Sequence, residues 1–295
     1  MMPSVPSPHG FSSSLRKLSA AAAGSLLALV VGLAPALALD SGWAETEGGR
    51  MRLVVDPAPR DDGTLHAVLD IDLAPGWKTY WRDPGGAGIP PMLDLSQSEG
   101  LSLETMDYPA PVRVDDGSTV WAGYTAPVRF PLTLIRSAGG TVTLRASAFI
   151  GICEKMCVPF QAMFELPLPE DAVASPQEQV LIDEAFAELP EPAAEDFRLE
   201  GASFDAGTKE LAISASLPGF RPAGTAPELF VAGPAGFAFA PPKLIGDDGG
   251  SARWTIRVEV VPKSIAAEDK VPLEFVVTLG PRAVAQSIPV AGFSR

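Results

Sequence analysis

Cys153 and Cys157 are the only cysteines in the 295-residue chain, and they lie four positions apart. They sit in Phe149-Ile150-Gly151-Ile152-Cys153-Glu154-Lys155-Met156-Cys157-Val158-Pro159-Phe160, with apolar runs on both sides. Glu154-Lys155-Met156 therefore reads as a three-residue hairpin loop. Residues flanking such a loop face each other across an antiparallel pair, with Cα atoms ~4.5–5.5 Å apart. A disulfide spans roughly 4.4–6.8 Å between Cα atoms, so the two thiols can bond without much backbone movement. The chemistry on offer is a structural staple or reversible thiol–disulfide exchange. So small a ring restricts the unfolded chain little, by about 2 kcal/mol, and a hairpin already closed by its own turn gains less from it than most. On the residues alone, both readings stand open.

A second chemistry uses the same residues. Cys-x3-Cys also occurs in copper-delivery proteins, where two thiolates suit Cu(I). Met156 and Met163 would be soft donors nearby, and His66 a third ligand. That motif belongs at the start of a helix, however, and Val158–Leu166 alternates as a strand does. A third possibility is a non-catalytic interaction protein held by a structural disulfide. Other chemistry finds less support. Gly85-Gly86-Ala87-Gly88 lies between prolines and reads as a turn cluster, not a phosphate loop opening a helix. The abundant carboxylates read as an acidic surface. With 22 Lys and Arg against 36 Asp and Glu, the net charge is −14. Nucleic acid is thereby excluded as a partner, since phosphate binding needs a basic face. The pattern calls for no cofactor and no metal.

The elements that position the pair read as strands. Thr64–Leu73 alternates, with Leu65, Ala67, Leu69, Ile71 and Leu73 on one face and His66, Asp70 and Asp72 on a wetter one. Pro127–Ile135, Thr141–Ile150 and Val158–Leu166 follow the same period, the last with Val158, Phe160, Ala162, Phe164 and Leu166 pointing one way. Ser175-Pro176-Gln177-Glu178 is a capping box with proline at the first helical position. Leu181, Ala185 and Leu189, widened by Ile182 and Phe186, make one helical stripe. Strands return at Leu211–Leu217, Trp254–Val260, Val271–Leu279 and Ala283–Val290. The expected fold is all-β: two immunoglobulin-like β-sandwich domains joined by a short helix. Residues 40–169 form the first sandwich, 170–196 the helical connector and 197–295 the second sandwich. Ahead of them, Arg16-Lys17, the apolar run Leu18–Leu33 and Ala36-Leu37-Ala38 make residues 1–38 a secretory signal peptide. Its removal leaves a protein not embedded in a membrane, in a compartment that permits disulfides.

Gly76-Trp77-Lys78-Thr79-Tyr80-Trp81-Arg82, Tyr108-Pro109-Ala110-Pro111, Gly123-Tyr124 and the cysteine hairpin occur in an order that resembles a known family. It is the N-terminal periplasmic domain of DsbD-type thiol:disulfide interchange proteins and the related suppressor-of-copper-sensitivity proteins. The resemblance covers roughly 43–168. It implies an immunoglobulin-like sandwich in the periplasm whose hairpin cysteines relay electrons, in processes that include cytochrome c biogenesis and copper tolerance. The electrons would come from a thioredoxin-like domain fed by a membrane transporter and go to oxidised thioredoxin-fold proteins. By this resemblance Cys153 and Cys157 are the redox pair, Cys157 being the one that joins mixed disulfides. Tyr80 and Tyr124 belong to the surround of the pair. Asp115–Trp121 falls at the cap loop that covers the cysteines, with Trp121 the shielding aromatic. The cysteines here are spaced more closely than is usual in that family. No membrane or thioredoxin-like segment accompanies them, so the resemblance implies a donor and a membrane electron transporter that are separate proteins.

Overall fold

The structure, a computed structural model, describes residues 39–293 except 87, 116, 118, 222–223 and 266–268. The expected signal peptide lies outside the described residues, as do Ala87 of the glycine cluster and Asp116 and Ser118 of the expected cap loop. Before the helix α1 (Pro176–Ala187) come β1 (Ala44–Thr46), β2 (Gly49–Asp56), β3 (Thr64–Leu73), β4 (Lys78–Tyr80), β5 (Met92–Asp94) and β6 (Leu101–Met106). These are followed by β7 (Val112–Asp115), β8 (Val120–Tyr124), β9 (Val128–Arg136), β10 (Val142–Cys153) and β11 (Cys157–Leu168). After the helix come β12 (Arg198–Asp205), β13 (Glu210–Ser216), β14 (Glu228–Ala232), β15 (Ala238–Phe239) and β16 (Lys243–Asp247). The last three are β17 (Ser251–Val260), β18 (Lys270–Leu279) and β19 (Arg282–Ala291).

The first sandwich stacks a sheet of order β1-β2-β3-β9-β6 on one of order β11-β10-β4-β8-β7, with β5 paired to β10. Its core takes the alternate residues of facing strands, among them Leu65, Ala67, Leu69, Phe130, Leu132, Leu144, Ala146 and Ile150. This is what a period of two requires of a half-buried strand. The other face of β3 is drier than its polar residues suggest. α1 lies against it, with Ile182 and Ala185 packed on Val54 and Val68. Phe186 stacks on His66 at 3.8 Å, and Asp70 is buried beside Arg52, 3.0 Å away. The helix begins as its sequence dictates: Ser175 Oγ accepts from Glu178 N–H while the Glu178 carboxylate accepts from Ser175 N–H. A charge held at the helix start also suits the helix dipole.

The second sandwich pairs β12-β13-β17-β15, with β16 on β17, against the small sheet β14-β18-β19. Along β14 and the middle of β18 the small sheet is buried on both faces. Leu229, Val231, Phe275 and Val277 point into the core of the second sandwich. Phe230, Ala232 and Val276 point the other way, into the core of the first. Such two-sided burial gives continuous apolar runs instead of alternation, and Leu229-Phe230-Val231-Ala232 is one.

Candidate functional site

β10 and β11 pair over their whole length and bring Cys153 opposite Cys157 at the turn end of the hairpin. The two are joined by a disulfide, with Cα atoms 4.2 Å apart. Glu154, Lys155 and Met156 form the tip, all exposed. The two sulfurs live in different surroundings. Cys153 is 1% exposed and enclosed with Tyr80 and Trp121, a cluster on which Ile89 and Val114 pack. Cys157 lies at the surface with Val158 and Pro159. Val158 was expected to point inward with Phe160, Ala162, Phe164 and Leu166; at 40% exposed it does not, because the sandwich ends before the hairpin does.

Tyr80 connects the two environments. Its hydroxyl oxygen lies 2.9 Å from Cys153 Sγ and 2.8 Å from Cys157 Sγ. A disulfide carries no proton, so the hydroxyl donates and the sulfurs accept. The short strand β4 holds it there. Lys78 pairs with Cys153 and Thr79 with Ile152 on one side, while Thr79 and Tyr80 pair with Tyr124 and Gly123 of β8 on the other. Thr79, wholly buried, donates its hydroxyl to Gly151 O at 2.8 Å. Two glycines make room for the Tyr80 ring. A Cβ on Gly151 would stand 3.0 Å from Tyr80 Cδ2 and 2.6 Å from Ile89 Cβ; one on Gly88 would stand 2.8 Å from Tyr80 Cδ1. Any larger residue at either position would displace the ring.

Trp121 meets Tyr80 edge-on, with centroids 5.6 Å apart, and takes the Lys78 ammonium over its own face at 4.6 Å. It lies within β8, not in the preceding loop, and is 2% exposed. Tyr124 is placed elsewhere. Its ring packs on Phe130 in the core of the sandwich, and its hydroxyl donates to Pro109 O at 2.8 Å. Burial pushes the ionisation of that phenol well above its ordinary value. His66 is against α1, as described, and Met163 is exposed on β11. Cys153, Cys157, Tyr80 and Trp121 are thus brought together, and Tyr124 is not among them. Sequence reasoning missed the glycines that shape the space. For Gly151 the signal was there, since a glycine inside a strand marks the close approach of another group; Gly88, in the loop before β5, carried none.

The chain behind Tyr80 runs directly into the seam between the sandwiches. Trp81 packs edge-on against Phe230, centroids 6.0 Å apart. Arg82 forms an ion pair with Glu274. Asp83 accepts from Gly85 N–H at 3.3 Å and from Gly233, and burial raises its carboxyl above the usual range.

The arrangement suits thiol–disulfide exchange: one cysteine lies at the surface, the other is shielded, and a hydroxyl donor serves both. No curated protein sequence matches the chain. The crystal structure of the N-terminal periplasmic domain of ScsB from Proteus mirabilis superimposes with a TM-score of 0.65 at 21% identity. It covers 86% of this chain and 98% of its own, so the shared fold takes in both sandwiches. Residues 52–169, which contain every member of the disulfide cluster, match the family described as thiol:disulfide interchange protein DsbD, N-terminal.

Proposed function

We propose that the protein is a periplasmic thiol:disulfide interchange relay. It takes electrons at Cys153–Cys157 from a thioredoxin-like donor linked to a membrane transporter and passes them to oxidised thioredoxin-fold proteins. The observation that carries this reading is the asymmetry of the pair: an exposed Cys157, a buried Cys153 and the Tyr80 hydroxyl on both sulfurs. A donor thiolate attacks Cys157 Sγ, the Cys153–Cys157 bond breaks, and Cys153 leaves as a thiolate that accepts from Tyr80. A hydrogen bond to the charged form of a thiol favours that form, so Tyr80 eases departure. The donor's second thiolate then attacks the donor sulfur of the mixed disulfide and releases Cys157. Two electrons have moved, the donor is left as a disulfide, and the protons its two thiols gave up to water on becoming thiolates are balanced by those that Cys153 and Cys157 take from water. With an oxidised client the roles reverse: Cys157 attacks and Cys153 resolves.

The surroundings suit such a partner. Met156, 76% exposed, lies with Val158 and Pro159 around Cys157, an apolar rim that a partner would cover. Export would follow from residues 1–38 acting as a cleaved signal peptide. No helix of the described residues is long and apolar enough to cross a membrane.

The test is covalent trapping. Cys153→Ala, incubated with an oxidised thioredoxin-fold protein, is expected to accumulate a mixed disulfide through Cys157, whereas Cys157→Ala should accumulate almost none. Each variant should lose only about 2 kcal/mol of stability, the chain-entropy contribution of so small a ring. A pair that no thioredoxin-like donor can reduce, and whose loss only lowers the melting temperature, would be a staple.

A further inference from the structure

The second sandwich carries no cysteine and no histidine, yet it grips the strand that delivers Tyr80. The three residues after Tyr80 are each tied to it in turn. Trp81, 1% exposed, lies edge-on to Phe230, whose ring belongs to the core of the first sandwich. Arg82 pairs with Glu274 of β18, and Asp83 accepts from the backbone of Gly233. The neighbouring strand is tied as well. Arg113 of β7 places its guanidinium 4.6 Å over the Phe230 ring and donates to Leu229 O. β7 pairs with β8, and β8 pairs with β4 at Tyr80.

β4 is only three residues long and Tyr80 is its last; beyond it the chain keeps two backbone bonds to β8, Trp81 N–H to Ala122 O and Ala122 N–H to Pro84 O, as it enters the seam. A hydroxyl serving two sulfurs must be held to within a few tenths of an ångström, and precision of that kind comes from packing behind the residue. We propose that the second sandwich acts on the redox pair by anchoring the Tyr80 strand, with Phe230 and Glu274 as positioning residues. This rests on the relay reading above. The second sandwich then sets how strongly the hydroxyl stabilises the thiolates, although it touches neither sulfur.

The experiment follows the pH profile of Cys157 alkylation in the reduced full-length protein. Tyr80→Phe removes the donor and should move the profile upward by about one pH unit, since the thiolate loses a favourable partner. Phe230→Ala should move it in the same direction by part of that amount, and Glu274→Arg likewise, by setting two cations against each other at the seam. Glu274→Arg is a surface change and keeps the fold testable should Phe230→Ala unfold. Reversing both partners, Arg82→Glu with Glu274→Arg, should restore the wild-type profile; simple destabilisation would not be rescued in this way. If Tyr80→Phe moves the profile and the second-sandwich variants leave it in place, this inference is overturned and the relay reading stands. If Tyr80→Phe leaves it in place as well, the role of the hydroxyl falls and this inference falls with it.

Discussion

The two sandwiches follow the same packing rules to different ends. In the second, every large side chain named in its core finds apolar neighbours: Trp254, Phe275, Leu273 and Phe197 are each no more than 1% exposed. In the first, one end of a similar core is left unfinished. The β10–β11 hairpin overruns the sheet stacked on it, so Cys157, Val158 and Pro159 reach the surface while Cys153 stays enclosed. Chemistry needs that boundary. A disulfide wholly inside would be inert, and one wholly outside would have no fixed donor. The second sandwich, which has no cysteine, is free to serve as a support.

Removing the support is the strongest way to break this comparison. A chain ending at residue 196 would strip β14, β18 and β19 from the first sandwich and leave their neighbours facing water. Trp81 would lose Phe230, Arg113 its ring and carbonyl partner, and the core the side chains of Ala232 and Val276. Loss of a buried aromatic contact of this kind costs about 3–5 kcal/mol at a single site, and here several go together. The truncated chain is expected to unfold at far lower urea than the full chain and to bind an apolar dye. An unchanged urea midpoint would mean that the first sandwich does not need the seam.

A pair of glycine substitutions sharpens the contrast between site and support. Gly151→Ala puts a methyl group into the space of Ile89 and the Tyr80 ring, and overpacking of this sort costs about 1–3 kcal/mol. It should also slow reduction of the disulfide, because the ring that must yield carries the hydroxyl. Gly201 in β12 is the counterpart: a Cβ there meets nothing within 4 Å. Gly201→Ala should leave exchange untouched and change stability by less than about 1 kcal/mol. Equal effects at the two positions, read from urea midpoints and single-turnover reduction, would sink the distinction.

What the sequence disclosed follows the same division. The long strands β3, β9, β10, β11, β13, β17, β18 and β19 announce themselves by alternation, and α1 by its capping box. The hairpin geometry of the cysteines was legible because loop length alone fixes which residues face each other. Short β4, β5, β7 and β8 were not, since three to five residues carry no measurable period. β14 was missed for the opposite reason: a strand buried on both faces does not alternate. The resemblance supplied Tyr80 and Trp121, and the fold groups both with Cys153, Tyr80 against the sulfurs and Trp121 against Tyr80. Tyr124, supplied in the same way, serves Pro109 and the core instead. No local signal separates those two tyrosines, because the facing of each depends on strand pairing made at a distance.

The smallest expected effect probes the electrostatics of the seam itself. Asp83 sits where the two sandwiches meet, and burial there raises its carboxyl above the ordinary value, outweighing the Gly85 and Gly233 N–H groups and nearby Arg82. An acid raised in the folded state binds its proton more tightly there than in the unfolded chain. It therefore weakens the fold progressively as pH rises from the ordinary carboxyl value, about 3.9, through its own, and adds nothing further above that. Asp83→Asn keeps an oxygen to accept from Gly85 and Gly233 and removes the charge. The variant should be more stable than the wild type at pH 7, with the advantage shrinking toward pH 4. Only the difference between the two proteins matters, because exposed carboxylates held low by local hydrogen bonds, such as Asp205 and Asp247, act in the opposite sense in both. Paired urea titrations at the two pH values measure it. A variant less stable at pH 7 would show that the charge of Asp83 holds the sandwiches together; an advantage of the same size at both would place its cause outside titration.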